Sequence, residues 1–313
     1  MSSSSSTTDP SSTASTSFDS AQYKIGQRQG WDSVAIGWQK WWKTFEGNAQ
    51  KLSDRLVELA EIGSGQQILD VATGIGEPAM TAAKRVGANG HILATDISPQ
   101  MLSIAKERAA SSLDKLQDIL EFREVDAEEM FDLPASSFDA VLCRWGLMFL
   151  PSPHIALRNI HRSLVSNGRF AAAVWAEKSK VPILGLPIDI INKELQIAVP
   201  TTSSDPSTYI PGLFSLANPS KLENYLTEAG FKDVYSQILI IPFEFASAEE
   251  FTHFVLDISA PIRYMLEKET EKRKEGIRSA VTQDVRKQFS INGEDNGKIR
   301  LDNEVVSVVG RKS

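Results

Sequence analysis

Residues Gln67–Met80 read QILDVATGIGEPAM. Ile68, Leu69 and Val71 form the continuous apolar run of a strand covered on both faces. Asp70 puts a carboxylate near that strand's carboxyl end. Gly74 and Gly76 carry no Cβ and let the backbone approach a ligand closely. Pro78 suits the first turn of a helix, where its missing N–H leaves no bond unmade. A strand, glycine turn and helix in this order mark a ligand crevice at the carboxyl ends of a parallel sheet.

The flanking chain repeats the pattern. Downstream, Ala79 to Val86 continues as a helix and HILATDIS, from His91, is a second strand ending at Asp96. Ser98 and Pro99 are a natural N-cap and first helical residue. ILEFREVDA (Ile119 to Ala127) and FDAVLCR (Phe138 to Arg144) are the third and fourth strands. A helix over Ile155 to Leu164, closed by Ser166, Asn167 and Gly168, leads to FAAAVWA, the fifth strand, from Phe170. VYSQILIIPFEF is a sixth strand, and IRLDNEVVSVVG, entered through the loop Asn292 to Gly297, is the last. The expected fold is α/β: a Rossmann-like, seven-stranded, mostly parallel sheet with helices on both faces and a helical cover.

Upstream, Trp31, Trp38, Trp41, Trp42 and Phe45 recur with Val34 and Ala35 at helical spacing. This helix either packs on the domain or folds over the ligand and excludes water. A second helix, Leu52 to Ala60, follows before Gly63 and Gly65. Residues 1–22 are a Ser/Thr-rich stretch too polar to bury, and are expected to be disordered. The rest, 23–313, reads as one domain, with 178–218 and 245–290 as stretches covering the substrate. The first contains the apolar ILGLPIDII, with Ile183, Leu184, Leu186, Ile188 and Ile190. The second contains the charged LEKETEKRKE, a solvated helix face.

Composition narrows the partners. The 313 residues carry 33 Lys plus Arg against 40 Asp plus Glu, a formal charge of −7. Such a chain, without a dense basic block, is a poor nucleic-acid binder. Cys143 is the single cysteine, so no internal disulfide can form, which suits a cytoplasmic setting. No apolar run reaches the roughly 20 residues that span a bilayer. No His or Cys cluster has metal-ligand spacing.

Three acids close three consecutive strands: Asp70, Asp96 and Asp126. A carboxylate after the second strand can accept from both hydroxyls of a ribose, because two oxygens match two donors. One near the glycine loop can hold an ammonium. One after the third strand can accept from an exocyclic adenine amine, with the Ala127 N–H donating to a ring nitrogen.

ILDVATGIGE, ATDISPQML, the run VDAEEMFDLPASSFDAVLCRWGLMFLPSP and LVSNGRF together resemble a class I S-adenosylmethionine-dependent methyltransferase. Within that class they resemble the branch of the ubiquinone and menaquinone C-methyltransferases. The likeness covers residues 30–175 and returns more weakly in FSLANPSKLENYLTEAGFKDV and the final strand. It implies S-adenosylmethionine as cofactor, with Asp70, Ala72, Thr73, Gly74 and Gly76 around its methionine part. Asp96 would hold the ribose, Ile97 and Met101 would lie near the adenine, and Asp126 and Ala127 would read its edge. Arg144 would face the methionine part and the reaction centre. Ala72 departs from the family, which has a glycine there.

A nicotinamide dinucleotide is the competing ligand of an oxidoreductase, since Gly74 to Ala79 satisfies G-x-G-x-x-A and Asp96 lies about 20 residues on. Asp70 and Glu77, however, bracket a loop that would have to accept a doubly charged pyrophosphate. Adenosylmethionine, with its ammonium and sulfonium, suits those acids. Methyl transfer needs a general base only where the nucleophile is protonated and weakly acidic. Arg144 and His154 are the catalytic candidates, with His253 and Tyr264 behind them, and none is secure. The acceptor is expected to be a small, apolar or quinone- or phenol-like metabolite, methylated on carbon or oxygen. A cofactor-binding regulator without catalysis is the alternative.

Overall fold

The computed structural model describes residues 18–112, 116–197, 209–291 and 297–313. Apolar runs become strands β1 (Gln67–Val71), β2 (His91–Asp96), β3 (Leu120–Glu124), β4 (Phe138–Arg144) and β5 (Leu164–Trp175). Two longer strands, β6 (Lys232–Phe245) and β7 (Ile299–Arg311), complete one sheet in the order β3-β2-β1-β4-β5-β7-β6. The first five are parallel, while β7 runs antiparallel between β5 and β6. The helices are α1 (Ser20–Leu59), α2 (Ala79–Val86), α3 (Pro99–Ala110), α4 (Pro153–Ser163) and α5 (Pro182–Leu195), then α6 (Pro219–Glu228), α7 (Ala248–Ile258), α8 (Ala260–Leu266) and α9 (Glu271–Phe289).

The order sets the site. From β1 the sheet grows one way through β2 and β3, and from β4 the other way through β5. The β1/β4 boundary is therefore a topological switch point, where a crevice opens beyond the carboxyl ends. Ile68, Leu69, Val141 and Leu142 on these two strands are buried to 0%, as strands covered on both faces require. The glycine turn expected at 72–78 leads into α2, which begins at Ala79 rather than Pro78.

Two local readings change. The Trp-rich stretch and the Leu52 helix are one continuous α1 of 40 residues, about 60 Å long. Gly37, which resembles a weak point, is needed inside it: a Cβ there would lie 2.0 Å from the Asp257 carbonyl oxygen of α7. The turn expected at Ser166–Gly168 lies within β5, with Asn167 left-handed (φ 66°) and a register shift against β4. The expected tail falls on 1–17, outside the described residues, while 20–22 already belong to α1. The centre of the 178–218 insertion, 198–208, and most of the Asn292 loop also lie outside them. The described parts of the insertion, 178–197 and 209–218, include α5, buried through Ile183, Leu184, Ile190 and Ile191.

Candidate active site

At the switch point lies a cavity lined by the glycine loop, the ends of β2, β3 and β4, and the first half of α1. Ala72, Thr73, Gly74, Asp96, Ile97, Met101, Asp126, Ala127 and Arg144 are all on its wall, as the sequence leads one to expect.

The Asp96 carboxylate spans two loops. Its Oδ2 accepts from the Gly74 N–H at 2.8 Å and its Oδ1 from the Ser98 N–H at 2.9 Å. Each oxygen keeps a lone pair for a further donor. Burial, only partly offset by these N–H groups, pushes its pKa up to about 6. Gly74 is left-handed (φ 56°) and a Cβ there would meet nothing within 4 Å, so the open space beside it belongs to the cavity. Ala72 is left-handed too (φ 58°), a conformation glycine adopts freely and alanine does not.

Asp70 and Gly76 stand elsewhere than expected. Neither lines the cavity. Asp70 lies fully buried beneath the loop, where its Oδ2 accepts from the Ala79 N–H at 3.1 Å at the start of α2. Its strand end is the right one, but the pleat and the turn above it aim the carboxylate at backbone donors. Burial raises its pKa to about 7, against the opposing pull of the Thr73 hydroxyl and of Arg144. Gly76 (φ 103°) makes room instead for Met80, whose Cε would lie 2.6 Å from a Cβ.

Arg144 reaches the wall but is already engaged. Its guanidinium makes a bidentate pair with Glu46 of α1 (Nη1 to Oε2 2.8 Å, Nη2 to Oε1 2.6 Å) and donates to Ser53 Oγ at 2.8 Å. Although burial favours the neutral form, Glu46 holds this arginine charged. Glu77 lies close by, accepting from the Thr81 N–H and hydroxyl and facing Arg108 at 3.6 Å. Its pKa is raised, first by burial and then by Glu46. Three buried carboxylates, Asp70, Glu46 and Glu77, thus surround two guanidiniums, an environment suited to a cation and hostile to a pyrophosphate.

At the β3 end of the cavity, Asp126 Oδ1 accepts from the Glu128 N–H at 2.8 Å, and its Oδ2 pairs with Lys24 of α1 at 2.8 Å. Lys24 also touches Glu128 at 2.9 Å. Asp32 of α1 accepts from the Ser98 hydroxyl at 2.6 Å. The long helix therefore runs over the mouth of the crevice, from Asp126 past Ser98 to Arg144.

The Trp-rich stretch packs on the domain with some of its indoles and lines the cavities with others. Trp41 packs outward, donating to Asp257 at 2.8 Å, and Trp42 lies under the Arg108 guanidinium at 4.5 Å. Trp31 and Trp38 face the cavity and, with Phe45, Trp145 and Phe149, also line a second one beside it. That neighbour is walled further by Met148, Trp175, Leu184, Leu213, Ile258 and Pro261, with Arg263, Tyr264 and Glu267 at its edge. Of the insertion residues expected to cover the acceptor, Leu184 lines it, while Ile183 and Ile190 are buried elsewhere in α5.

His154 is displaced from its expected role: it sits exposed on the first turn of α4, and neither cavity includes it. His253, exposed on α7, is likewise outside both. Cys143 is fully buried, its thiol pushed up to about 12 by burial, and is an apolar packing group. No cluster of metal-ligating side chains exists among the described residues. Lys24, Glu46, Ser53 and Trp145 were not singled out from sequence. The first three act across nearly a hundred residues, and no local pattern marks them.

A sheet of this order, with a glycine loop bonded to a strand-end acid, resembles that of the class I S-adenosylmethionine-dependent methyltransferases. Residues 69–172 match the family described as "Methyltransferase domain". The chain is 27% identical over 205 residues to the ubiquinone/menaquinone biosynthesis C-methyltransferase UbiE of Methylococcus capsulatus, covering 64% of this chain and 77% of that one. It is 29% identical over 176 residues to the UbiE of a Bradyrhizobium strain, covering 55% and 68%. The YcgJ protein of Bacillus subtilis shares its fold at TM-score 0.52 and 18% identity, over 83% of this chain and 97% of that one. A phosphoethanolamine N-methyltransferase of Haemonchus contortus, solved with S-adenosylhomocysteine, does so at 0.55 and 17%, over 93% and 60%. The protein is thus a methyltransferase that uses S-adenosylmethionine and resembles the UbiE branch.

Proposed function

We propose that this enzyme methylates carbon or oxygen of a small, apolar, quinol- or phenol-like acceptor. The observation that carries this reading is the second cavity. It adjoins the first cavity through shared aromatic walls and is lined mainly by aromatic and aliphatic side chains, with Gln27, Gln29, Ser33, Ser259, Arg263 and Glu267 as its polar members. A small, largely apolar molecule with few polar groups is what such a chamber takes. The UbiE relatives, whose name describes C-methylation in quinone biosynthesis, support the same class.

In this reading the cofactor occupies the first cavity, where its sulfonium supplies an activated methyl group and a good leaving group. Asp96 accepts from the ribose hydroxyls, Asp126 and the Ala127 N–H read the adenine edge, and Ile97 and Met101 pack beside it. Thr73 on the cavity wall and the open space at Gly74 suit the methionine part. Asp70 acts from behind the wall, anchoring the loop, while Arg144 on the wall anchors α1 through Glu46. The chain then contributes orientation and exclusion of water, since in-line displacement requires alignment above all. Trp31, Trp38 and Phe149 supply the dry cover. Arg144, engaged by Glu46, takes no proton in this scheme.

The test is release of S-adenosylhomocysteine from S-adenosylmethionine with a panel of hydroquinones, phenols and amines. Turnover confined to hydroquinones or phenols is expected. Turnover of amines alone would overturn the acceptor class.

A further inference from the structure

Glu77 is the acid of the glycine loop that reaches the first cavity. It lines the wall beside Thr73, Gly74 and Arg144 and is 8% exposed, whereas Asp70 is fully buried and lies off the wall. Its two oxygens are unequally engaged. Oε2 accepts from the Thr81 N–H at 3.1 Å and from the Thr81 hydroxyl at 2.7 Å. Oε1 faces Arg108 Nη2 at 3.6 Å, beyond hydrogen-bond reach, and so keeps lone pairs for a donor.

Charge balance points the same way. The charged groups that face Glu77 are Asp70 on β1, Glu46 on α1, Arg108 on α3 and Arg144 on β4. Three carboxylates thus share two guanidiniums, one positive charge too few. Arg144 is committed to Glu46 through bonds of 2.6 and 2.8 Å. Arg108 is drawn aside, donating to the Ile75 carbonyl and lying over the Trp42 ring. Glu77 is therefore the carboxylate left short of a cation. Burial, first of all, pushes both it and Asp70 above the usual carboxylate range. A buried acid so placed keeps a proton or takes a cation.

Resting on the placement of the cofactor in the first cavity, we infer that Glu77 accepts the α-ammonium of its methionine part. The ammonium supplies the third positive charge of the cluster. Asp70, which the sequence puts in this role, is left to anchor the loop through the Ala79 N–H.

The experiment titrates the full chain by calorimetry with S-adenosylhomocysteine and with its desamino analogue, in which hydrogen replaces the ammonium. The wild type should prefer S-adenosylhomocysteine by about 10- to 150-fold, the worth of one charge-assisted hydrogen bond. Glu77→Gln keeps the shape and an acceptor for Thr81, and should lose most of that preference by weakening S-adenosylhomocysteine alone. The desamino analogue should bind this variant as tightly as wild type or more tightly, because its carboxylate no longer meets a like charge. Glu77→Asp, with the charge on a shorter arm, should restore part of the preference. Asp70→Asn should change both ligands by the same factor. A loop that is merely loosened loses both ligands equally, so the difference between them isolates the contact with the ammonium. Thermal melts confirm that each variant folds. A wild type without preference, or an undiminished preference in Glu77→Gln, overturns the assignment. A preference lost in Asp70→Asn instead returns the ammonium to Asp70. Unchanged affinity for both ligands in Asp96→Ala overturns the cofactor placement beneath it.

Discussion

Removing the Glu46–Arg144 pair tests how the cover is fastened to the sheet. Both side chains are nearly buried, with side-chain exposures of 7% and 5%, and they meet through two charge-assisted bonds. Truncating one partner of a buried pair leaves an uncompensated charge and costs about 3–5 kcal/mol. The neighbours make the two ends unequal. Losing Arg144 leaves Glu46 beside Glu77 and Asp70, three acids with Arg108 alone to balance them. Losing the charge of Glu46 leaves Arg144 still facing Glu77 and Asp70. Glu46→Gln is therefore expected at about 3 kcal/mol and Arg144→Leu at about 5 kcal/mol, the lower and upper ends of that range. The double variant Glu46→Leu/Arg144→Leu should recover much of the loss, because two apolar groups need no partner. Urea denaturation of the wild type, Glu46→Leu, Arg144→Leu and the double variant forms a thermodynamic cycle that reads the coupling, with Glu46→Gln measured beside it. Additive single effects, or an Arg144→Leu cost no larger than that of Glu46→Gln, would refute the account of a shared acid cluster.

Three further outcomes follow. Asp96→Ala should weaken S-adenosylmethionine binding by about 10- to 150-fold, from about 1.5–3 kcal/mol of charge-assisted bonding, and unchanged calorimetric affinity would dismiss the ribose assignment. Asp70, raised to about 7, binds its proton more tightly folded than unfolded, so stability falls as pH rises from about 4 through 7. Asp70→Asn should flatten that decline by up to about 2.5 kcal/mol in urea melts between pH 5 and pH 8, and parallel profiles would contradict it. Gly37→Ala should destabilise by about 1–3 kcal/mol or more, because the new Cβ meets the Asp257 backbone and α1 must move off α7. A melting temperature within a degree of wild type would show that α1 yields without loss.

The strands of the sheet were legible because buried parallel strands are written as unbroken apolar runs, as in ILDV and FDAVLCR. Asp96, Asp126 and the glycine loop were legible because their chemistry is local to a strand end. What was not legible depended on distance or on backbone angle. Asp70 reads alike whether it faces a ligand or caps the turn beneath it, and only the fold distinguishes the two. The continuity of α1 was hidden because the Trp-rich face and the run from Leu52 to Ala60 read as two separate helices, and Gly37 and Gly47 gave no sign of a rigid rod. Gly37 is explained by a carbonyl 220 residues away in sequence, and a Cβ at Gly47 would meet nothing. Lys24 and Glu46 find partners about a hundred residues on, beyond the reach of any periodicity. The left-handed Trp145 has no sequence signal at all, since the tripeptide Arg144-Trp145-Gly146 suggests only a strand end.

The uninterrupted α1 makes helical phase a property of the enzyme. Lys24, Asp32, Trp38 and Glu46 each meet a different part of the domain from one rigid rod. One residue added between Trp38 and Glu46 would rotate everything before it by about 100° and advance it by about 1.5 Å. The ammonium at Asp126, the bond to Ser98 and the indoles over the crevice would all leave register together. Two whole turns, about seven residues, restore the angle but displace the start by about 10 Å. Insertions and deletions are thus barred from this helix, and a lineage adapting to a new acceptor has to work by exchanging side chains along it.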